Sequence, residues 1–428
     1  MDVSGFYKLS VEERLAKVKE AAGLTDEEAK TLLDTGALGQ ERADKMVENV
    51  FGAMHLPLGL ATNFVINGKE MLIPMAVEEA SVIAAACKAA KQTLPEGFKA
   101  DADESIMIGQ VQVVGMKDAG AALRSITQSK AEIMSVASGF MKQHERYNCG
   151  VRGFKARPLQ TERGDMIIID FHIAVGDAQG ANMVNTTLEG VAPEIEKLAK
   201  GKVRLRIVSN LATERKARAS AVWKKDVVGE EVIEGVLDGY AFAKADVYRC
   251  STHNKGIMNG IDAVALATGN DWRSVEAGAH SFAALGAYHP LTKYYKNEKS
   301  DLVGSIELPL AVAIVGPAIS GSPTAKIALK VMGVKSSREL AMAMACIGLA
   351  NNFAALAALS TAGIQQGHMK LHARSIAIYA GASASEADKV AEILAKEKNF
   401  DIGYAKEMLD KTRNAEKTAK TGKHAGKR

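Results

Sequence analysis

Tyr248 to Asp271 reads YRCSTHNKGIMNGIDAVALATGND. The stretch gathers Arg249, His253, Asn254, Lys255, Asn259 and Asp271, interleaved with Gly256, Gly260 and Gly269 and with the apolar residues Ile257, Met258, Ala263, Val264, Ala265 and Leu266. Hydrogen-bonding groups this dense among small apolar residues are poor material for a solvated loop. They suit a site wall, where a few placed polar groups stand on an apolar floor. Lys255, followed by Gly256 and a helical run to Ala267, is expected near a helix N-terminus. Fixed there by burial and a carboxylate, it would be a point charge for a developing oxyanion. A lone lysine beside a capped helix is ordinarily a surface residue, and the company of Lys255 is what favours a site.

Upstream of this stretch the pattern is that of a sheet. SIMIGQVQVVG alternates as a strand, AGAALRSITQSKAEIMSVASGFMKQ follows as one long helix, and VRGFKARPL and MIIIDFHIAVG are two further strands. GANMVNTTLEGVAPEIEKLAK is helical and KVRLRIVS is a last strand. The order β-α-β-β-α-β is the ferredoxin-like, split βαβ unit. It predicts an α+β protein in which residues 104–212 are a small domain inserted between the parts 1–103 and 213–362 of a larger, helix-rich one. Residues 363–428 form a C-terminal segment.

The flanks carry local signals. Ser10 with Glu13 and Thr25 with Glu28 are capping boxes, with Gly23 as a helix stop between them. A third helix is expected from Glu41 to about Val50. NFVINGKEMLIPM is a hairpin turning at Asn67-Gly68. After Pro74, Glu78 and Glu79 open an alanine-rich helix. A strand pair is expected around SDLVGSIELPLAVAIV, and SSRELAMAMACIGLANNFAALAALS is apolar enough all round to lie in the core. With 47% hydrophobic and 24% charged residues the chain is an ordinary globular protein. No secretory or membrane-anchoring segment is evident, so a cytoplasmic protein without membrane contact is expected. Cys87, Cys149, Cys250 and Cys346 show no CxxC spacing, which argues against a zinc site or a disulfide framework. Seven Lys/Arg against one acid lie between Lys411 and Arg428, which leaves residues 1–410 slightly acidic within a total charge of +4. The basic tail is expected to be disordered. A nucleic-acid binder working through it is disfavoured by the acidic body and by the lack of aromatic RNA-binding motifs on the small-domain strands.

THNKGIMNGID followed by ATGND, together with PMAVEEAS, VGDAQGAN and GHMKLHAR, resembles hydroxymethylglutaryl-CoA reductase, in its class II, from about Gly5 to about Leu409. The resemblance implies reversible reduction of HMG-CoA to mevalonate and CoA by two hydride transfers, through mevaldyl-CoA and mevaldehyde. Glu79 would be the catalytic acid, Lys255 the cation over the thioester carbonyl, and Asp271 the carboxylate between them. Such a cluster titrates as one coupled system. His368 would be the general acid for the CoA thiolate, on a C-terminal helical lid; histidine can be poised near neutrality for this. Ser81, Arg249 and Asn259 would hold the substrate. Asp177, Gln179, Gly180, Ala181 and Asn182 would form the dinucleotide loop, and Asn210 a nicotinamide-side contact. A homodimer, or a higher oligomer, with the site at the interface is implied. No metal is expected, because no HExxH glutamate or third ligand accompanies His368 and His372.

From physics alone each residue has a plainer role. Glu78 and Glu79 suit a helix N-terminus, Asp271 suits an N-cap before Trp272, and VGDAQGAN is a strand-turn-helix anion site without a Gly-x-Gly fingerprint. The chain departs from the family at four places, one of them Gln179, which stands for a methionine in the dinucleotide loop. Ala80 stands where proline is usual, and Asn148-Cys149-Gly150 replaces a Gly-Gly-Gly turn. Met141 replaces an aspartate that reaches the adenosine ribose in NADH-using relatives. With Lys142, His144 and Arg146 nearby, Met141 would favour NADPH over NADH. The rival reading is a non-catalytic CoA- or nucleotide-binding protein of the same fold; it would be expected to lack at least one of Glu79, Lys255, Asp271 and His368, and all four are present.

Overall fold

A computed structural model describes residues 5–34, 36, 38–361 and 373–425. The N-terminal helices are α1 (Val11–Ala22), α2 (Asp26–Leu33) and α3 (Gln40–Met46). Both capping boxes form, with Glu13 N–H to Ser10 Oγ at 3.1 Å and Glu28 N–H to Thr25 Oγ1 at 3.1 Å. The third helix ends at Met46, four residues earlier than expected, and the chain then runs to Leu58 without regular structure. The hairpin β1 (Leu58–Ile66) and β2 (Lys69–Ala76) turns at Asn67 and Gly68, both left-handed, as the two-residue turn requires.

Strands β1 and β2 are one edge of a six-stranded sheet. Its order is β2-β1-β3-β8-β10-β9, with β3 (Phe98–Ala102), β8 (Lys216–Trp223), β9 (Thr292–Lys296) and β10 (Leu302–Pro309). The expected strand pair is β9 and β10; of these, only β10 falls in the stretch read from the sequence. Between β2 and β3 lies α4 (Ala80–Lys91).

A second, four-stranded sheet is built from β4 (Ile106–Val114), β5 (Gly150–Thr161), β6 (Gly164–Ala174) and β7 (Lys202–Val208), in the antiparallel order β5-β6-β4-β7. Alternation sends Met107, Val111 and Val113 of β4 and Ile167, Ile169, Phe171 and Ile173 of β6 to one face. Packed on them are α5 (Ala119–Gln128), α6 (Lys130–Met141) and α7 (Ala181–Ala199). The long helix expected before β5 is broken at Ser129, and after Met141 it tightens into a 3-10 turn over Lys142–Tyr147.

The remaining helices are α8 (Lys225–Val228), α9 (Glu230–Ala245), α10 (Val247–Ala267), α11 (Trp272–Ala283), α12 (Pro317–Gly321), α13 (Pro323–Met332) and α14 (Ser337–Leu359). Helix α14 is the axis of the larger core. It is apolar enough to cross a membrane by composition, with a mean hydropathy of 1.7, yet 78% of that window is buried inside the protein. Phe353 stacks on Trp223 of β8 at 4.0 Å, and the Trp223 indole N–H donates to Ala89 O of α4 at 3.0 Å. Sheet, α4 and α10 are thereby tied to one helix.

The C-terminal helices are α15 (described over residues 373–379), α16 (Ala384–Glu397) and α17 (Ile402–Ala425), which share a small core of Ala377, Val390, Leu394, Ala405 and Leu409. The tail expected to be disordered is helical to Ala425. Its alanines, lysines and glutamates are strong helix formers, and Lys411 pairs with Glu407 one turn back at 2.7 Å. His368 and His372 lie outside the described residues.

Candidate active site

Helix α10 begins earlier than expected. Asp246, inconspicuous in KADVYR, caps it by accepting the Arg249 backbone N–H at 2.7 Å. Lys255 is therefore mid-helix rather than at an N-terminus, and its side chain is exposed rather than buried. Helical spacing puts Lys255, Asn259 and Asp262 on one side of α10, away from Ile257, Ile261 and Val264, which face the core. Gly260 allows α10 to close on α14, since a Cβ there would overlap Asn351 Oδ1 and Ile347.

The buried side of α10 carries polar groups near its start. His253 is 1% exposed and shares a 2.6 Å hydrogen bond through Nε2 with Thr292 Oγ1, while its Nδ1 has no partner. Burial, reinforced by the neighbouring Arg249 cation, pulls its pKa down to about 3, so the ring is neutral. One turn earlier, Arg249 Nε is buried and also has no hydrogen-bond partner among the described residues. An unpaired buried guanidinium N–H is costly unless an anion completes it. The arrangement fits the carboxylate-binding role that sequence resemblance implies for Arg249.

Glu79 is the N-cap residue of α4, yet its side chain does not cap the helix. Instead its Oε1 accepts the Ser81 hydroxyl at 2.6 Å, so these two predicted residues are brought together. Asn351 of α14 donates to Val82 O at 2.9 Å and so holds the first turn of α4. Because Gly260 packs against the same Asn351, the helices of Glu79 and Lys255 meet on one segment of α14.

Asp271 caps α11, with Ser274 N–H to its Oδ1 at 3.3 Å, and makes a 3.3 Å ion pair with Arg273. The Ser274 hydroxyl then donates to Asn210 Oδ1 at 3.1 Å, which joins the Asp271 turn to the predicted nicotinamide-side residue. A second link runs through the segment 310–314. Asn270 exchanges two bonds with Ala313, at 2.7 and 3.1 Å, and the Ile314 N–H donates to Asp177 O at 3.1 Å. Among the described residues no ion pair joins Lys255 to Asp271 within the subunit.

The loop Asp177–Asn182 leads into α7 through Gly180, whose left-handed backbone (φ 97°) starts the helix with no side-chain cap. A Cβ there would overlap Val175. One carboxylate oxygen of Asp177 accepts the Ser337 N–H at 2.7 Å and is thus committed to the start of α14. Asn182 and Asn210 are exposed, while Gln179 and Ala181 are partly so. The uncapped start of a 19-residue helix suits a dinucleotide's phosphates.

Met141 does not belong with these residues. It is 1% exposed, packed in the core beneath the four-stranded sheet, and cannot reach a ribose. Its side chain continues the buried face of Ile133 and Ala137 along α6. Lys142 and Arg146, on the 3-10 turn that follows, are exposed.

Several residues of the site escaped sequence reading. Ser274 and Asn270 bridge through bonds that no local pattern announces. Arg215 looks like one of a solvated basic run in TERKAR, yet it is 4% exposed. On α10, Asp262 faces Glu276 of α11; Glu276 pairs with His280 Nε2 at 2.8 Å, and His280 Nδ1 meets Tyr288 Oη at 2.8 Å. Burial first, then Glu276, pushes the Asp262 carboxyl up to about 8.

Comparison with known proteins bears on this geometry directly. The family model described as hydroxymethylglutaryl-coenzyme A reductase matches residues 10–373. The chain is 53% identical to the 3-hydroxy-3-methylglutaryl-coenzyme A reductase of Archaeoglobus fulgidus, over 96% of this chain and 95% of that one. It is 34% identical to a probable enzyme of the same name from Borreliella burgdorferi, over 77% of each. A solved structure of the class II reductase from Streptococcus pneumoniae, bound to NADPH in open conformations, superposes with a TM-score of 0.80 at 38% identity, covering 95% of this chain and 100% of that one. A match over most of the chain, with this identity to its relatives, leaves one assignment: the chain belongs to the hydroxymethylglutaryl-coenzyme A reductase family.

Proposed function

We propose that the protein catalyses the reversible four-electron reduction of HMG-CoA to mevalonate and CoA, with NADPH preferred over NADH. The nicotinamide cofactor supplies a hydride at each of two steps. Lys255, with Asn259 beside it on α10, stabilises the oxygen that gains charge as the carbonyl is reduced. Glu79, oriented by Ser81, handles the proton at that oxygen. Arg249 takes the carboxylate of the HMG group, and Asp271 completes the charge balance around Lys255. His368 protonates the departing thiolate from the segment 363–428, which acts as a flap and tail. Residues 1–103 and 213–362 form the substrate-binding domain, and residues 104–212 the cofactor domain.

The observation that carries this reading is the junction at Asp271. One hydroxyl, that of Ser274, ties the Asp271 turn to Asn210, and one segment, 310–314, ties it to Asp177. A carboxylate at the meeting point of a cofactor loop and a substrate helix is where hydride transfer needs one. Two homodimer halves would complete the site, which accords with Lys255 having no ion-pair partner among the described residues of its own subunit. Phe51 and Met54 are almost wholly exposed on the irregular segment after α3, an apolar surface suited to a second copy. For NADPH, the exposed Lys142 and Arg146 supply the positive charge that a 2′-phosphate needs, in place of the argument from Met141. A cytoplasmic enzyme with no nucleic-acid or membrane partner is the corresponding location.

The test is the initial rate of HMG-CoA-dependent oxidation of NADPH and of NADH, for the natural protein and for Lys255→Ala. Loss of one oxyanion-stabilising group costs roughly 10²–10³ in kcat. Near-normal turnover in folded Lys255→Ala would rule the mechanism out.

A further inference from the structure

Arg215 lies immediately before β8 and is buried, with no hydrogen-bonded carboxylate among the described residues. Its guanidinium donates to three backbone carbonyls: Gln179 O at 3.1 Å, Ala178 O at 3.1 Å, and Val312 O. Its own carbonyl accepts the Leu310 N–H at 3.1 Å. Asp177 is near enough to favour the charge, but among the described residues the fork's hydrogen bonds go to carbonyls, which is an expensive use of a buried cation, and two of those carbonyls are consecutive members of the loop that leads into α7.

The peptide unit is planar and trans, so a carbonyl and the N–H that follows it point in opposite directions. Drawing Ala178 O and Gln179 O inward turns the N–H groups of Gln179 and Gly180 outward. Neither N–H donates to a backbone group of the described residues. They stand next to the uncapped first turn of α7, whose own N–H groups point the same way along the helix axis. Successive outward N–H groups at a helix start make a concavity for an anion.

We infer that Arg215 is a positioning residue that pre-forms this backbone nest for the diphosphate bridge of the dinucleotide, acting from behind the loop without touching the ligand. The inference rests on the proposed reading of residues 177–182 as the cofactor loop. It adds that the nest exists before the cofactor arrives. It also places its rigidity in one side chain, which through Val312 is stitched to the segment that holds Asn270.

Arg215→Lys keeps the charge but cannot fork to three carbonyls. In the folded variant, calorimetric titration should show NADPH binding weakened at least ten-fold and HMG-CoA binding changed less than two-fold. Inorganic pyrophosphate should lose potency as a competitor of NADPH in the same proportion as NADPH affinity. NADPH affinity within two-fold of normal, or equal losses for NADPH and HMG-CoA, would overturn the role of Arg215. Should Arg215→Lys and Arg215→Gln both fail to fold, amide exchange in the natural protein decides. Saturating pyrophosphate should slow exchange at Gln179 and Gly180 at least ten-fold, and unchanged exchange there would overturn the nest. The loop reading itself is checked with Asn182→Ala. Weakened NADPH binding in Asn182→Ala beside normal binding in Arg215→Lys sinks the clamp and leaves the loop standing. Unchanged binding in Asn182→Ala, with no pyrophosphate protection anywhere in 177–183, sinks both.

Discussion

Asp262 offers a perturbation whose sign and size follow from its surroundings. Its carboxyl is half-buried, has one oxygen with no hydrogen-bond partner among the described residues, and faces Glu276, whose charge is in turn held by His280. Burial, then Glu276, raises it from an ordinary 3.8 to about 8. The folded protein therefore holds a proton at neutral pH that the unfolded chain has released. Stability from this group is fully present below about pH 4 and is lost progressively as pH rises through about 8. At ~1.4 kcal/mol per pH unit the ceiling is roughly 5–6 kcal/mol. Partial exposure and sharing of the proton with Glu276 reduce this to about 2 kcal/mol. Asp262→Asn presents a permanently neutral amide that can donate to the Glu276 carboxylate as the protonated acid does. The melting temperature of the variant relative to the natural protein should accordingly climb by about 2 °C between pH 5 and pH 8.5 and level off beyond, at fixed protein concentration and without cofactor. Differential scanning fluorimetry across that range is sufficient. Parallel curves for the two proteins would refute the protonated Asp262, as would a gap that widens towards low pH.

Gly260→Ala should destabilise the protein by about 1–3 kcal/mol, because its methyl overlaps Asn351 and Ile347. Activity should fall as well, since Asn351 also holds the first turn of α4 behind Glu79 and Ser81; an unchanged melting temperature would contradict the packing. Arg146→Glu should lower kcat/KM for NADPH several-fold more than for NADH, and equal effects on both would remove the turn after α6 from cofactor choice. His368→Gln should be severely impaired on HMG-CoA yet keep much more activity on free mevaldehyde, which has no thiolate to protonate; equal losses would take that role from His368.

What the sequence made legible was whatever is decided within a few residues. Capping boxes at Ser10 and Thr25, the Asn67-Gly68 turn and the alternation in β4 and β6 are local, and each forms as read. The failures are local signals overruled or unseen. Asp246 caps α10 from an unremarkable position, so the start of the helix was missed and Lys255 was placed at the wrong part of it. Met141 is matched to a ribose contact by resemblance alone, and nothing local to it announces that α6 turns the position into the core.

The framework around the chemistry was illegible for a different reason. Arg215 reaches Val312 across 97 positions, Asp177 reaches Ser337 across 160, and Asn351 reaches Val82 across 269. No window of sequence contains both ends of such a bond, and nothing local to Arg215 or Asn351 announces its partner. The groups proposed to meet substrate, Lys255 and Asp271 among them, stand in unusual company in the chain. Groups that hold them are marked only by what folding brings against them. The buried guanidinium of Arg215 shows the consequence. Its hydrogen bonds all end on backbone carbonyls, so its worth lies in the direction those carbonyls are made to face, and that direction exists only once β8, the loop before α7 and the 310–314 segment have closed around it.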